Sequence, residues 1–223
     1  MCGRYTLTQR PEPAPAAEVP AFKPRYNIAP TQAAPVVLLE RPGDVVYHHW
    51  GLIPHWARDA AGAARLINAR AETLTEKPAF RDLIRRQRCL VPADGFYEWK
   101  TSAGGKKPYR ITVRNGELVY FAGLYDRWQA PDGRMRETFV IITTHPNALM
   151  VPIHDRMPVI LSQAAAQRWL DPAADWLALQ ADLVPYPGEQ MVAYPVSARV
   201  GQVRADDPGL ILPDTSTDLF GGY

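Results

Sequence analysis

The second residue of this chain is a cysteine, in the run Met1-Cys2-Gly3-Arg4-Tyr5. Removal of Met1 leaves one residue that carries a free α-amine and a thiol on adjacent carbons. Such a 1,2-aminothiol reacts with aldehydes: the amine condenses to a Schiff base, and the thiol then closes a five-membered thiazolidine ring. Reference pKa values of about 8 for the amine and about 8.5 for the thiol leave a useful fraction of each deprotonated near neutrality. Without that chemistry, a cysteine here packs as a small hydrophobe.

Four further segments place polar groups where a plain core needs none. Leu66-Ile67-Asn68-Ala69-Arg70-Ala71-Glu72-Thr73 sets Asn68 and Arg70 two residues apart, on one face if the segment is extended. Gly95-Phe96-Tyr97-Glu98-Trp99 holds a carboxylate inside an aromatic run, where burial is costly without a partner or a task. Ile153-His154-Asp155-Arg156-Met157-Pro158 supplies an imidazole, a carboxylate and a guanidinium in one short turn. Tyr194-Pro195-Val196-Ser197 ends a strand-like run, with Arg199 and Arg204 following. Plainer roles stand beside these. Glu98 could pair with Arg70 or Arg110, His154 could be a satisfied core histidine, and Asn68 could hold a loop. Trp56, in Pro54-His55-Trp56, either caps the surface or stacks on a base. His48 and His49 alternate faces on a strand, and neither they nor His55 complete a tetrahedral ligand set, so no metal is expected. Cys89 lies in an apolar run and reads as inert core.

The elements that must position these groups are mostly strands. Pro35–Glu40, Val45–Leu52, Cys89–Pro92, Gly95–Lys100, Pro108–Arg114, Leu118–Trp128, Thr138–Thr144, Met157–Leu161 and Met191–Pro195 are strand-like runs bounded by turn residues. Lys100–Lys107, with Gly104-Gly105, reads as a hairpin connection. Helical spacing is confined to Pro78–Arg88, Ser162–Leu170 and Pro172–Gln180. The expected fold is α+β: one β-rich domain over residues 1–213, of mainly antiparallel strands with a few peripheral helices. Pro11–Pro24 is expected to be an extended surface segment, and 214–223 a loose tail.

Bulk properties narrow the function classes. The 223 residues are 47% hydrophobic and 22% charged, ordinary for a soluble domain. A formal charge of +2 is too small to indicate nucleic-acid binding by itself, so any polyanion site must come from local arginines. Two cysteines make no disulfide framework, and no apolar run resembles a signal peptide or a membrane span. A cytoplasmic, reduced, monomeric protein with no membrane partner is expected, nucleoid-associated if bacterial.

The segments MCGRY (1–5), RYNIAP (25–30), WGLIPHW (50–56), INARAET (67–73), GFYEWK (95–100), IHDRMPVIL (153–161) and PVSARVGQVR (195–204) together resemble the SRAP family, the SOS response-associated peptidases that sense abasic sites. They run in the family's order over nearly the whole chain. The resemblance implies a β-rich fold with a positive cleft, no cofactor, and covalent capture of abasic sites in single-stranded DNA through the N-terminal cysteine. It implies Cys2 as nucleophile, Asn68, Glu98 and His154 as supporting active-site residues, and Arg4, Arg70 and Arg156 as phosphate contacts. A weak lyase side reaction and reversal of the crosslink are further implied. Two rivals stay open: an N-terminal-nucleophile cysteine peptidase, in which the α-amine is the base, and a non-covalent single-strand-binding module using the arginines and Trp56.

Overall fold

β-branched and aromatic residues pack well on a pleated sheet, and most of the chain obeys that preference. The structure is a computed structural model, described here for residues 2–11 and 22–214. In chain order the strands are β1 (Arg4–Leu7), β2 (Arg25–Ile28), β3 (Ala33–Leu38), β4 (Arg41–Trp50), β5 (Asn68–Arg70), β6 (Arg88–Ala93), β7 (Gly95–Ser102), β8 (Gly105–Val113), β9 (Val119–Gln129), β10 (Met135–Thr144), β11 (Met157–Pro158), β12 (Ile160–Leu161) and β13 (Met191–Pro195). Three short α-helices accompany them: α1 (Leu83–Arg86), α2 (Gln163–Trp169) and α3 (Trp176–Ala181).

The strands form two sheets. One is antiparallel, in the order β13-β8-β7-β1-β2. In the other, β4, β3, β6, β9 and β10 pair in sequence, and β10 returns to β4, closing a ring. Closure removes the free edges that an open sheet would expose. The closing β10–β4 ladder is parallel, and so is the β10–β5 ladder that docks Asn68 beside Ile141. All other ladders between the named strands are antiparallel, which agrees with the α+β, mainly antiparallel expectation.

A shared core ties the two sheets together. Tyr5 and Leu7 from β1, Phe96 from β7 and Ile111 from β8 pack with Val36, Val91, Phe121, Phe139 and Ile141 from the closed sheet. Tyr5 sits edge-on to Trp50 and Phe121, with centroids 5.3 and 6.0 Å away. Gly123 is required where β9 crosses β6, because a Cβ there would lie 2.9 Å from the Cys89 sulfur. Cys89 is buried in this core, as expected.

Helix expectations are met in part. Ser162 caps α2, its hydroxyl accepting from the Ala165 amide at 3.2 Å. Only Leu83–Arg86 of the expected Pro78–Arg88 helix is α-helical. Phe80 and Leu83 instead close three-residue turns onto Lys77 and Phe80, and the buried Arg88 guanidinium takes the carbonyls of Ile84 and Arg85 as β6 begins. The expected Pro172–Gln180 helix starts later, at Trp176, because Asp175 is extended. Asp214, counted in the expected tail, donates its amide to Pro195. Residues 215–223 and most of the expected Pro/Ala-rich segment, 12–21, lie outside the described residues. No helix among the described residues is long and apolar enough to cross a membrane.

Candidate active site

β1 runs between β2 and β7, so Cys2 and Arg4 enter the structure beside Asn27 and the Tyr97-Glu98 stretch. Cys2 is fully buried and joins the main core. Its carbonyl accepts a 2.9 Å hydrogen bond from Asn68 Nδ2. The Asn68 Oδ1 is buried and has no hydrogen-bond partner among the described residues. Burial pushes the Cys2 thiol far above its ordinary pKa, and the nearby Glu98 carboxylate adds to the shift.

Glu98 is 2% exposed on β7, and burial raises its carboxyl pKa to about 7. Its Oε2 lies 3.7 Å from His154 Nε2. Burial lowers the His154 pKa, so a carboxyl that titrates near neutrality faces an imidazole held toward its neutral form, an arrangement suited to general acid–base work. The other imidazole nitrogen, Nδ1, accepts from the Arg156 amide at 3.1 Å. Asp155 Oδ1 also lies 3.0 Å from Nδ1, but this carboxylate is 86% exposed and solvated. The Arg156 amide suits the tautomer whose neutral-ring proton is on Nε2, facing Glu98, whereas the Asp155 carboxylate suits the one with the proton on Nδ1. Arg110, a plainer partner considered for Glu98, lies 3.3 Å from Asp94 instead.

The three candidate phosphate-binding arginines differ. Arg70 is exposed at the end of β5. Arg4 is half-buried and binds Asn27 Oδ1 at 2.9 Å and the carbonyls of Val200 and Gly201. Arg156 is 8% exposed, with both guanidinium arms on Glu72 at 2.9 Å and one also on the Thr143 carbonyl at 2.7 Å. Of the three, Arg70 is the cation that faces solvent, whereas Arg4 and Arg156 brace the walls. Trp56 is 59% exposed beside His55, whose amide and Nδ1 both meet the buried Asp126 carboxylate, at 2.8 and 3.0 Å.

Cys2, Asn68, Glu98 and His154 thus converge from four distant parts of the chain. Three supporting residues carry no role in the motif reading. Asn27, in RYNIAP, is buried and spends its amide on the carbonyls of Val200, Gln202 and Ala205. Glu72 holds Arg156, and Asp126 holds the turn before Trp56. Asn27 and Glu72 lie inside matched motifs, so their polar types in those motifs were the available signal. Among the described residues no cluster of His, Cys, Asp and Glu could hold a metal ion.

Comparison with known proteins identifies the family. The family model for SOS response associated peptidase (SRAP) matches residues 1–203. The chain is 42% identical over 224 residues to a Bacillus subtilis protein named abasic site processing protein YoqW, covering 95% of this chain and 99% of that one. It is 31% identical to the abasic site processing protein HMCES of Gallus gallus, covering 86% of this chain and 67% of that one. A crystal structure of a Bacteroides thetaiotaomicron protein superposes with a TM-score of 0.78 at 35% identity, covering 82% of each chain. The chain belongs to the SRAP family.

Proposed function

We propose that this chain, once Met1 is removed, captures the ring-opened aldehyde of abasic sites in single-stranded DNA through the α-amine and thiol of Cys2. The product is a thiazolidine crosslink that shields the lesion. The names of its relatives support abasic-site processing as the activity. The observation that carries the chemical reading is the Asn68–Cys2 hydrogen bond, which fixes the backbone of the residue that must react.

The amine attacks the aldehyde carbon and gives a carbinolamine. Glu98, with its pKa near 7, protonates the departing hydroxyl, and one water leaves as the imine forms. The Cys2 thiol, held protonated by burial, then adds through sulfur to the imine carbon, and its proton ends on nitrogen. Amine and thiol share one residue, so ring closure is intramolecular, where effective molarities reach about 10⁵–10⁸ M. A Schiff base at the sugar C1′ also acidifies the neighbouring C–H, which opens a weak lyase route. Ring closure suppresses that route by draining the imine. His154, with its proton on Nε2, exchanges it with Glu98 and supplies the proton for ring opening when the crosslink reverses. Arg70 contacts phosphate without reading sequence, and Trp56 offers a stacking face.

The test is a denaturing gel of purified protein incubated with single-stranded DNA carrying one abasic site. A shifted, denaturant-resistant band that Cys2→Ala abolishes is expected. Multiple turnover on peptides with no such band would favour a cysteine peptidase. Salt-sensitive binding that survives Cys2→Ala, again with no such band, would favour a non-covalent module.

A further inference from the structure

Glu72 stands outside the residues assigned to the chemistry, yet it is tied to them from both sides. It lies in the short helical turn Ala71–Thr73, directly after β5, so one brief segment carries both Asn68 and Glu72. Asn68 reaches Cys2, and Glu72 reaches the His154 segment. The two Glu72 carboxylate oxygens each accept from one arm of the Arg156 guanidinium at 2.9 Å, the two-pronged geometry that orients as well as attracts. Arg156 is also anchored to the Thr143 carbonyl, so its guanidinium has one seat. His145 Nε2 lies 3.1 Å from the same Glu72 carboxylate but is 70% exposed.

The Arg156 backbone matters to His154. Its amide donates to Nδ1 at 3.1 Å, while its carbonyl lies 3.3 Å from the same nitrogen. The first contact suits a proton on Nε2 and the second a proton on Nδ1. The amide and the carbonyl belong to the two peptide units flanking the Arg156 Cα, and Asp155 Oδ1, 3.0 Å from Nδ1, also suits a proton there, so the placement of the Arg156 backbone weighs in the choice between the two tautomers. Only one of them points an N–H toward Glu98.

We infer that Glu72 is a positioning residue that, by clamping Arg156, holds the Arg156 amide against His154 Nδ1 and so keeps the His154 proton on Nε2. Its consequence for rate rests on the proposed function, whereas the tautomer itself does not.

The experiment reads the His154 ring nitrogens by ¹⁵N NMR in the full chain with Met1 removed, alongside single-turnover capture of abasic single-stranded DNA. The parent is expected to carry the neutral-ring proton on Nε2. Glu72→Gln keeps the shape but loses the charge and one acceptor. It is expected to move part of the population to Nδ1, to slow capture about tenfold and to leave affinity for an undamaged strand unchanged. His145→Ala is expected to match the parent in all three measurements. Arg156→Lys keeps the charge without the two-pronged bond and carries the same test if Glu72→Gln fails to fold. A parental tautomer in the folded variants overturns the inference whatever their capture rate, whereas a shifted tautomer with parental capture upholds the positioning role and overturns its consequence for rate. If the parent captures no abasic DNA, the proposed function fails, and the tautomer comparison still decides the role of Glu72.

Discussion

The side-chain amide of Asn68 donates to the carbonyl of Cys2 at 2.9 Å, so β5 sets the backbone of the residue at the start of the chain. Asn68→Ala removes that restraint while leaving both reacting groups. Capture of abasic DNA is expected to slow about tenfold, the rate equivalent of one net hydrogen bond. Affinity for an undamaged strand should stay at the parental value. Single-turnover kinetics and fluorescence anisotropy on the same preparation check both halves.

Glu98→Gln keeps the shape and removes the titrating proton. Crosslink formation should slow by about 10²–10⁴-fold in quench-flow or gel time courses. Stability supplies a second readout. The folded-state pKa of Glu98 is raised to about 7 from an ordinary value of 4.5. Its contribution to stability is therefore fully present below about 4.5 and is lost as pH rises through about 7. Glu98→Gln, which cannot ionise, should gain stability relative to the parent across that window. Thermal melts of both proteins between pH 4 and 8 measure the crossing.

His154→Ala separates the two directions of the reaction. Formation can draw on the proton of Glu98, so its loss should be the smaller one. Reversal needs a proton delivered to the departing sulfur or nitrogen and should slow strongly. Transfer from a preformed adduct to a competing abasic strand measures it.

The arginines should divide as their surroundings do. Arg70→Ala should lower affinity alike for all DNA sequences and reduce the logarithmic salt slope by roughly 0.7 for the lost single-strand phosphate contact. Arg156→Ala removes the two-pronged partner of the partly buried Glu72, leaving the exposed His145 beside it, and should lower thermal stability. Anisotropy titrations over a salt series, with melting curves, distinguish these outcomes.

Much of this architecture was legible in the sequence, and the exceptions have physical causes. Met191–Pro195 and the hairpin between β7 and β8 were readable because β-branched runs and the Gly104-Gly105 turn act locally. β1 and β2, four residues each, carry too few apolar alternations to stand out, yet they hold Arg4 and Asn27. The closing β10–β4 ladder pairs segments far apart in sequence, a contact that no local pattern encodes. Asn68, Glu98 and His154 were identifiable as polar groups in apolar company. The Glu72–Arg156 clamp was not, since a charged pair separated by so much chain looks like two solvated side chains until the fold brings them together.

The central claim is that Cys2 supplies both bonds to the lesion, and the mass of the adduct tests it most directly. Intact mass spectrometry of the protein crosslinked to an abasic oligonucleotide should give the protein without Met1, plus the oligonucleotide, minus one water, and borohydride should leave that mass unchanged, because a thiazolidine, unlike the isomeric imine, is not reduced. Peptide mapping should place the link on Cys2. An adduct that retains Met1, or one formed equally well by Cys2→Ala, would contradict the account.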